Sequence, residues 1–180
     1  DPWTDIHEVK KLYGIFPIKK PKFKTYDGII IVVAHKEFKK MGIKKISKFD
    51  IIKPEQKFGS RTRFDFLLES SSLKKKAYLE VKNVTLNRNK DLAEFPDAVT
   101  TRGKKHLEDL IVAKTKGFES YIIYLVQIEN CKQFNIAFDI DPQYFKAFKE
   151  AQKKNVKILC YDCKFNDKGI EINKKIKINE

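Results

Sequence analysis

Thr62-Arg63-Phe64-Asp65-Phe66-Leu67-Leu68-Glu69 and Ala77-Tyr78-Leu79-Glu80-Val81-Lys82-Asn83-Val84 flank the polar run Ser70-Ser71-Ser72-Leu73-Lys74-Lys75-Lys76. Two apolar-rich stretches of strand length on either side of a Ser/Lys turn predict a β-hairpin. With the turn centred between residues 72 and 73, the numbers of opposed residues sum to 145, which sets Asp65 against Glu80 and Arg63 against Lys82. Side chains alternate along a strand, so these four share one face. Phe64, Phe66, Leu79 and Val81 are expected on the other, as core.

Directly opposed β-carbons lie about 5 Å apart, and two ionised carboxylates there repel by about 3 kcal/mol at an effective dielectric of about 20. A cation between them, a shared proton, or neutralisation by Lys82 relieves this. A hard cation such as Mg²⁺ or Mn²⁺ takes carboxylate oxygens together with water and phosphate. A lysine two residues past the second acid suits the orientation of an attacking water. Glu-x-Lys alone carries little information, since it recurs at Glu8–Lys10, Glu37–Lys39 and Glu55–Lys57. An acid within one apolar strand opposed to Glu-x-Lys within the next carries more. The competing reading is a cross-strand salt-bridge cluster on a solvated sheet face.

Outward from the hairpin, the pattern alternates strands with helices. Ile29–Val33 reads as a buried strand and His35–Met41 as a short helix stopped by Gly42; a strand is expected near Asp50–Phe58. Residues 85–96 read as a loop, and 97–116 as a helix with Val99, Leu107, Leu110 and Ile111 on one face and Asp97 at its start. Tyr121–Gln127 is an apolar strand, Asp141–Lys154 a helix opened by Asp141-Pro142, Val156–Tyr161 a further strand, and 169–178 an edge strand. This order implies an α/β fold with a mixed central sheet flanked by helices.

The 180 residues carry a net charge of +14, with 14 Lys against 7 acids in residues 1–60. Such an excess points to a polyanion, of which nucleic acid is the commonest, gripped without regard to sequence and in a salt-sensitive way. A merely Lys-rich surface is the alternative. No stretch approaches the roughly 18 apolar residues of a membrane helix. Three cysteines, an odd number, argue against a disulfide framework and for a cytoplasmic setting. Cys160-Tyr161-Asp162-Cys163 is half of a zinc site, with Cys131 the sole further cysteine.

Further residues converge on the same chemistry. Arg102 and His106 lie four apart on one helix face, placed to clamp a phosphate or lean over the acidic site. Glu37 and Asp97 are possible additional carboxylates, Asp97 otherwise a helix cap, and Gln127 ends a core strand.

Three stretches resemble the sugar fermentation stimulation protein A family: Arg63–Glu69, Tyr78–Leu86, and Phe95-Pro96-Asp97-Ala98-Val99-Thr100-Thr101-Arg102-Gly103-Lys104-Lys105-His106-Leu107. Tyr124–Gln127, Ile140–Pro142 and Val156–Tyr161 fit it too, so the likeness spans roughly residues 57–161. It implies a restriction-endonuclease-like, PD-(D/E)xK core, with Asp65, Glu80 and Lys82 as the nuclease-type triad and Asp65 and Glu80 as ligands of Mg²⁺ or Mn²⁺. It further implies DNA binding, to which Arg61, Arg63, Arg102, Lys104, Lys105 and His106 would contribute, and a link to the regulation of sugar (maltose) metabolism. Residues 1–45 would be a short basic remnant of an OB-like part, and 46–180 the nuclease-like domain. Two readings stay open: metal-dependent phosphodiester hydrolysis, and a non-catalytic, non-specific DNA-binding regulator.

Overall fold

The hairpin forms in the register its turn dictates. Strand β2 (Thr62–Ser70) pairs antiparallel with β3 (Lys75–Val84) through Phe66–Leu79, Leu67–Tyr78, Leu68–Ala77, Glu69–Lys76 and Ser70–Lys75. In the computed structural model, residues 49–60, 62–166 and 169–179 are described. The expected strand 29–33, the helix 35–41 with Glu37, the 1–45/46–180 division and Arg61 lie outside them.

Strand β1 (Ile51–Phe58) precedes the hairpin and pairs antiparallel with β2. After it come β4 (Leu86–Asn89), β5 (Leu92–Phe95), α1 (Thr101–Thr115), β6 (Glu119–Val126), β7 (Gln133–Ile136), α2 (Pro142–Lys153), β8 (Lys157–Asn166), β9 (Gly169–Lys175) and β10 (Lys177–Ile178). The main sheet runs β1-β2-β3-β6-β8-β9; β3, β6 and β8 are parallel at its centre and the outer pairs antiparallel. This is the expected mixed α/β sheet. The central β6 reads as a continuous apolar run, Tyr121–Val126, because both of its faces are buried. Tyr78, Val84, Ile122, Tyr124, Val126 and Cys160 pack under Leu107, Leu110 and Ala113 of α1 and Tyr144, Ala147 and Phe148 of α2. Phe66, Leu68, Leu79, Tyr121, Ile123 and Leu125 form a second cluster on the opposite face.

Three expectations need correction. Residues 85–96 are not a loop: β4 and β5 form a hairpin closed by Asp91 at φ 64°, and β5 joins β7 and β10 in a second, four-stranded sheet. Four-residue strands show no readable alternation, and β5 is secured by pairing with β7, 41 residues later (Leu92–Gln133), which local pattern cannot reveal. Second, α1 starts at Thr101 and not near Asp97. Thr100 is the N-cap, its Oγ1 accepting from Gly103 N at 3.0 Å, while Asp97 is exposed before it and Val99 is 71% exposed. Third, Phe64 does not share a face with Phe66. It joins the cluster beneath the helices, whereas Phe66 and Leu68 lie in the other. The alternation of β2 therefore breaks at Asp65.

The two helices begin at one point. Buried Asp141 caps α2 by accepting from Tyr144 N at 2.9 Å, and its other oxygen accepts from Thr100 N at 2.8 Å. At Gly103 the helices approach so closely that a β-carbon would sit 2.8 Å from Thr100 Oγ1 and 3.1 Å from Tyr144 Cε2. This joint sets the azimuth of α1 over β3, and hence where His106 falls.

Candidate functional site

Glu80 and Lys82 lie on the helix-facing side of β3, as alternation requires. Glu80 is 3% exposed and so belongs with the groups that need a partner. Its Oε1 accepts from Lys82 Nζ at 2.7 Å and from His106 Nδ1 in a very short hydrogen bond, and Lys82 Nζ stands 3.2 Å from the same His106 nitrogen. Its Oε2 is buried and has no hydrogen-bond partner. Burial pushes the Glu80 carboxyl up, but the His106 hydrogen bond and the Lys82 charge outweigh it and hold the group below the ordinary range.

Asp65 sits where the β2–β3 ladder ends. Just past the Phe66–Leu79 pair, which is the last of the ladder, the Val81 amide donates to Asp65 Oδ2 at 2.7 Å. The carboxylate thus stands in for the ladder, which matches the break in alternation at this residue. Burial first and the neighbouring Glu80 charge second raise Asp65 to about 6, against partial relief from the Val81 amide and Lys82. The two acids are driven in opposite directions because the His106 and Lys82 donors converge on Glu80, while burial and the Glu80 charge dominate at Asp65.

The charge of Glu55 also raises Asp65. Glu55 lies on β1 at φ 52°, in the gap of the β1–β2 ladder between Pro54–Phe66 and Gln56–Phe64. Reading Glu55–Lys57 as background hid it; its pairing position follows only from the β1 register. A left-handed, non-glycine residue beside an acidic pair is the type of strain found at functional sites.

The remaining sequence-nominated residues divide by position. His106, 5% exposed, is inside the acidic cluster and not on the solvent face of α1. Arg102 is exposed, as is Arg63, whose guanidinium is 3.7 Å from Glu55. Lys104 and Lys105 pair along α1 with Glu108 and Asp109, and Asp109 also accepts from Thr62 Oγ1. Asp97 is exposed outside the cluster. Gln127 follows β6, with its buried Nε2 unpartnered. Cys131, Cys160 and Cys163 are buried free thiols.

The donors present fit a hard divalent cation. A buried carboxylate oxygen without a partner beside an acid that resists ionisation is relieved by positive charge. No group of three or more His, Cys, Asp or Glu placed to hold a metal is found among the described residues, and a cation beside Asp65 and Glu80 would need oxygens from outside the chain as well. Such a sparse set suits Mg²⁺, which keeps water and takes substrate phosphate as its other ligands.

The chain matches the family described as "Sugar fermentation stimulation protein RE domain" over residues 30–169. It is 53% identical over 136 residues to a sugar fermentation stimulation protein homolog of Pelagibacter ubique, covering 76% of this chain and 58% of that protein. The Roseobacter denitrificans homolog is 42% identical over 130 residues, covering 72% and 55%. Among solved structures, Pyrococcus furiosus SfsA in complex with Ca²⁺ superposes with a TM-score of 0.68 at 25% identity, covering 77% of this chain and 58% of that one. The protein belongs to the sugar fermentation stimulation protein family. It spans a little over half the length of the curated relatives it matches. No helix among the described residues is long and apolar enough to cross a membrane.

Proposed function

We propose that this domain binds DNA and hydrolyses its phosphodiester bonds with a divalent cation, on a nuclease-like PD-(D/E)xK core. One observation carries the reading: Glu80, fixed through Oε1, leaves Oε2 buried and unpartnered beside an acid raised to about 6. Asp65 and Glu80 would hold Mg²⁺ or Mn²⁺, which supplies stabilisation of developing charge on a phosphate. Lys82 keeps its ammonium at the rim of the cluster, 14% exposed, where it can orient a water for attack. Exposed Arg63 and Arg102, with Lys104 and Lys105, contribute charge for the DNA backbone. That the Pyrococcus furiosus relative was solved in complex with Ca²⁺ supports a divalent-cation site here.

A second reading, a DNA-binding regulator without turnover, has its own support. Lys82 and His106 both donate to Glu80, so its charge is compensated without a metal.

Incubation of labelled single- and double-stranded DNA at low salt with EDTA, Mg²⁺ or Mn²⁺, beside Glu80→Ala, separates the two. Metal-dependent cleavage lost in the variant supports hydrolysis. Salt-sensitive binding that survives the substitution, with no cleavage under either metal, supports the regulator.

A further inference from the structure

We infer that His106 is a positioning residue that selects which oxygen of Glu80 is offered to a ligand. The inference rests on the cation site proposed above. A glutamate side chain turns about three bonds, and its two oxygens are equivalent until something distinguishes them. Here the distinction is complete: Oε1 receives two donors and Oε2 none.

Of those donors, Lys82 is a poor anchor. Its flexible four-carbon stem ends in an ammonium with three freely rotating donors, partly exposed at the rim. His106 is a good one. Its ring is rigid, nearly fully buried, and packed edge-on to Phe64 with centroids 6.2 Å apart. Its helix is fixed by the Thr100 cap, the Gly103–Tyr144 contact and the burial of Leu107 and Leu110.

The atom involved is specific. Glu80 as a carboxylate has no proton to give, so the short contact requires the hydrogen on His106 Nδ1. Both Lys82 Nζ and His106 Nδ1 then donate to Oε1, and their own 3.2 Å separation is a by-product of that convergence. A histidine oriented to a carboxylate in this way, one bond removed from the ligand, is the type of support whose loss costs about 10- to 100-fold in metal affinity.

The test uses the geometry of the amide side chains. The amide nitrogen of asparagine falls near the position of Nδ1, and that of glutamine near Nε2. Mn²⁺ is titrated into the wild type, His106→Asn and His106→Gln, with folding checked by circular dichroism. His106→Asn is expected to hold Mn²⁺ within about threefold of wild type and His106→Gln to lose about 10- to 100-fold. Equal losses in both, or none in His106→Gln, overturn the proposal.

A wild type that binds no Mn²⁺ would count against the cation site itself. The clamp is then decided by long-range ¹⁵N–¹H correlation of the histidine rings in metal-free protein. A protonated Nδ1 at His106 whose shift changes in Glu80→Ala supports it. An Nε2–H tautomer in the wild type overturns it.

Discussion

Two buried carboxylates in this protein meet cations, and they end in different states. Glu94, as buried as Glu80, gives one oxygen to Arg88 Nε at 2.9 Å and the other to Arg88 Nη2 at 2.7 Å. The same guanidinium bonds both oxygens of Asp139, whose carboxyl is held below its ordinary range chiefly by that bond. Every acid oxygen in that network is used, as the planar fork of arginine allows. At Glu80 two donors crowd one oxygen and neglect the other, and the adjacent acid is raised instead of lowered. The Arg88 network pins the small-sheet hairpin to the loop before α2. At Glu80 the charge is met through Oε1 alone, and a buried acceptor left unsatisfied, as Oε2 is, costs about 1–3 kcal/mol.

The contrast can be broken by substitution. The largest expected effect is functional: Glu80→Ala abolishes metal-dependent cleavage in the DNA assay. Arg88→Ala leaves cleavage by the folded fraction intact but strands the buried Glu94 carboxylate, lowering the urea midpoint of unfolding. Loss of cleavage in Arg88→Ala with unchanged stability would erase the distinction.

Asp65 gives a pH signature. Its folded value of about 6 lies above the ordinary 3.8, so the fold favours the protonated form. Stability therefore falls as pH rises from about 4 to about 6 and stays lower above that. Without metal, Asp65→Asn should be more stable than wild type above pH 6, by about 2 kcal/mol after allowance for partial exposure, and equal to it below pH 4. Mn²⁺ affinity of the wild type should strengthen as pH rises through about 6. Identical pH–stability curves for the two proteins would contradict this account.

Smaller effects sharpen the picture. Gly103→Ala gains helix propensity but pushes on Thr100 and Tyr144, for a net loss of about 1 kcal/mol by thermal unfolding. Arg102→Ala should weaken DNA binding a few-fold and reduce the slope of log affinity against log salt by about one.

How much of this was legible in the sequence depended on whether the cause was local. The β2–β3 register followed from the turn and the alternation around it, and the shared face of Glu80 and Lys82 followed from the register. The caps show the same rule and its limit: Asp141-Pro142 announced α2, but Asp97 drew the start of α1 four residues early because Asp141, far along the chain, occupies the Thr100 amide. The break in β2 at Asp65 left no trace in a Phe-Asp-Phe pattern that alternates perfectly. His106 was nominated through the helix face it shares with Arg102, yet its place depends on how α1 docks: Arg102 is exposed and His106 meets Glu80. Strands β4, β5 and β7 were invisible because four residues carry no period.

The central claim, that Asp65 and Glu80 form a cation site, is most directly tested by calorimetric titration of Mn²⁺ at pH 7.5 into wild type, Asp65→Asn, Glu80→Gln and Arg88→Ala. The account predicts binding in the wild type and in Arg88→Ala, and its loss in the two acid variants. No binding by the wild type, or binding unchanged in Glu80→Gln, would contradict it.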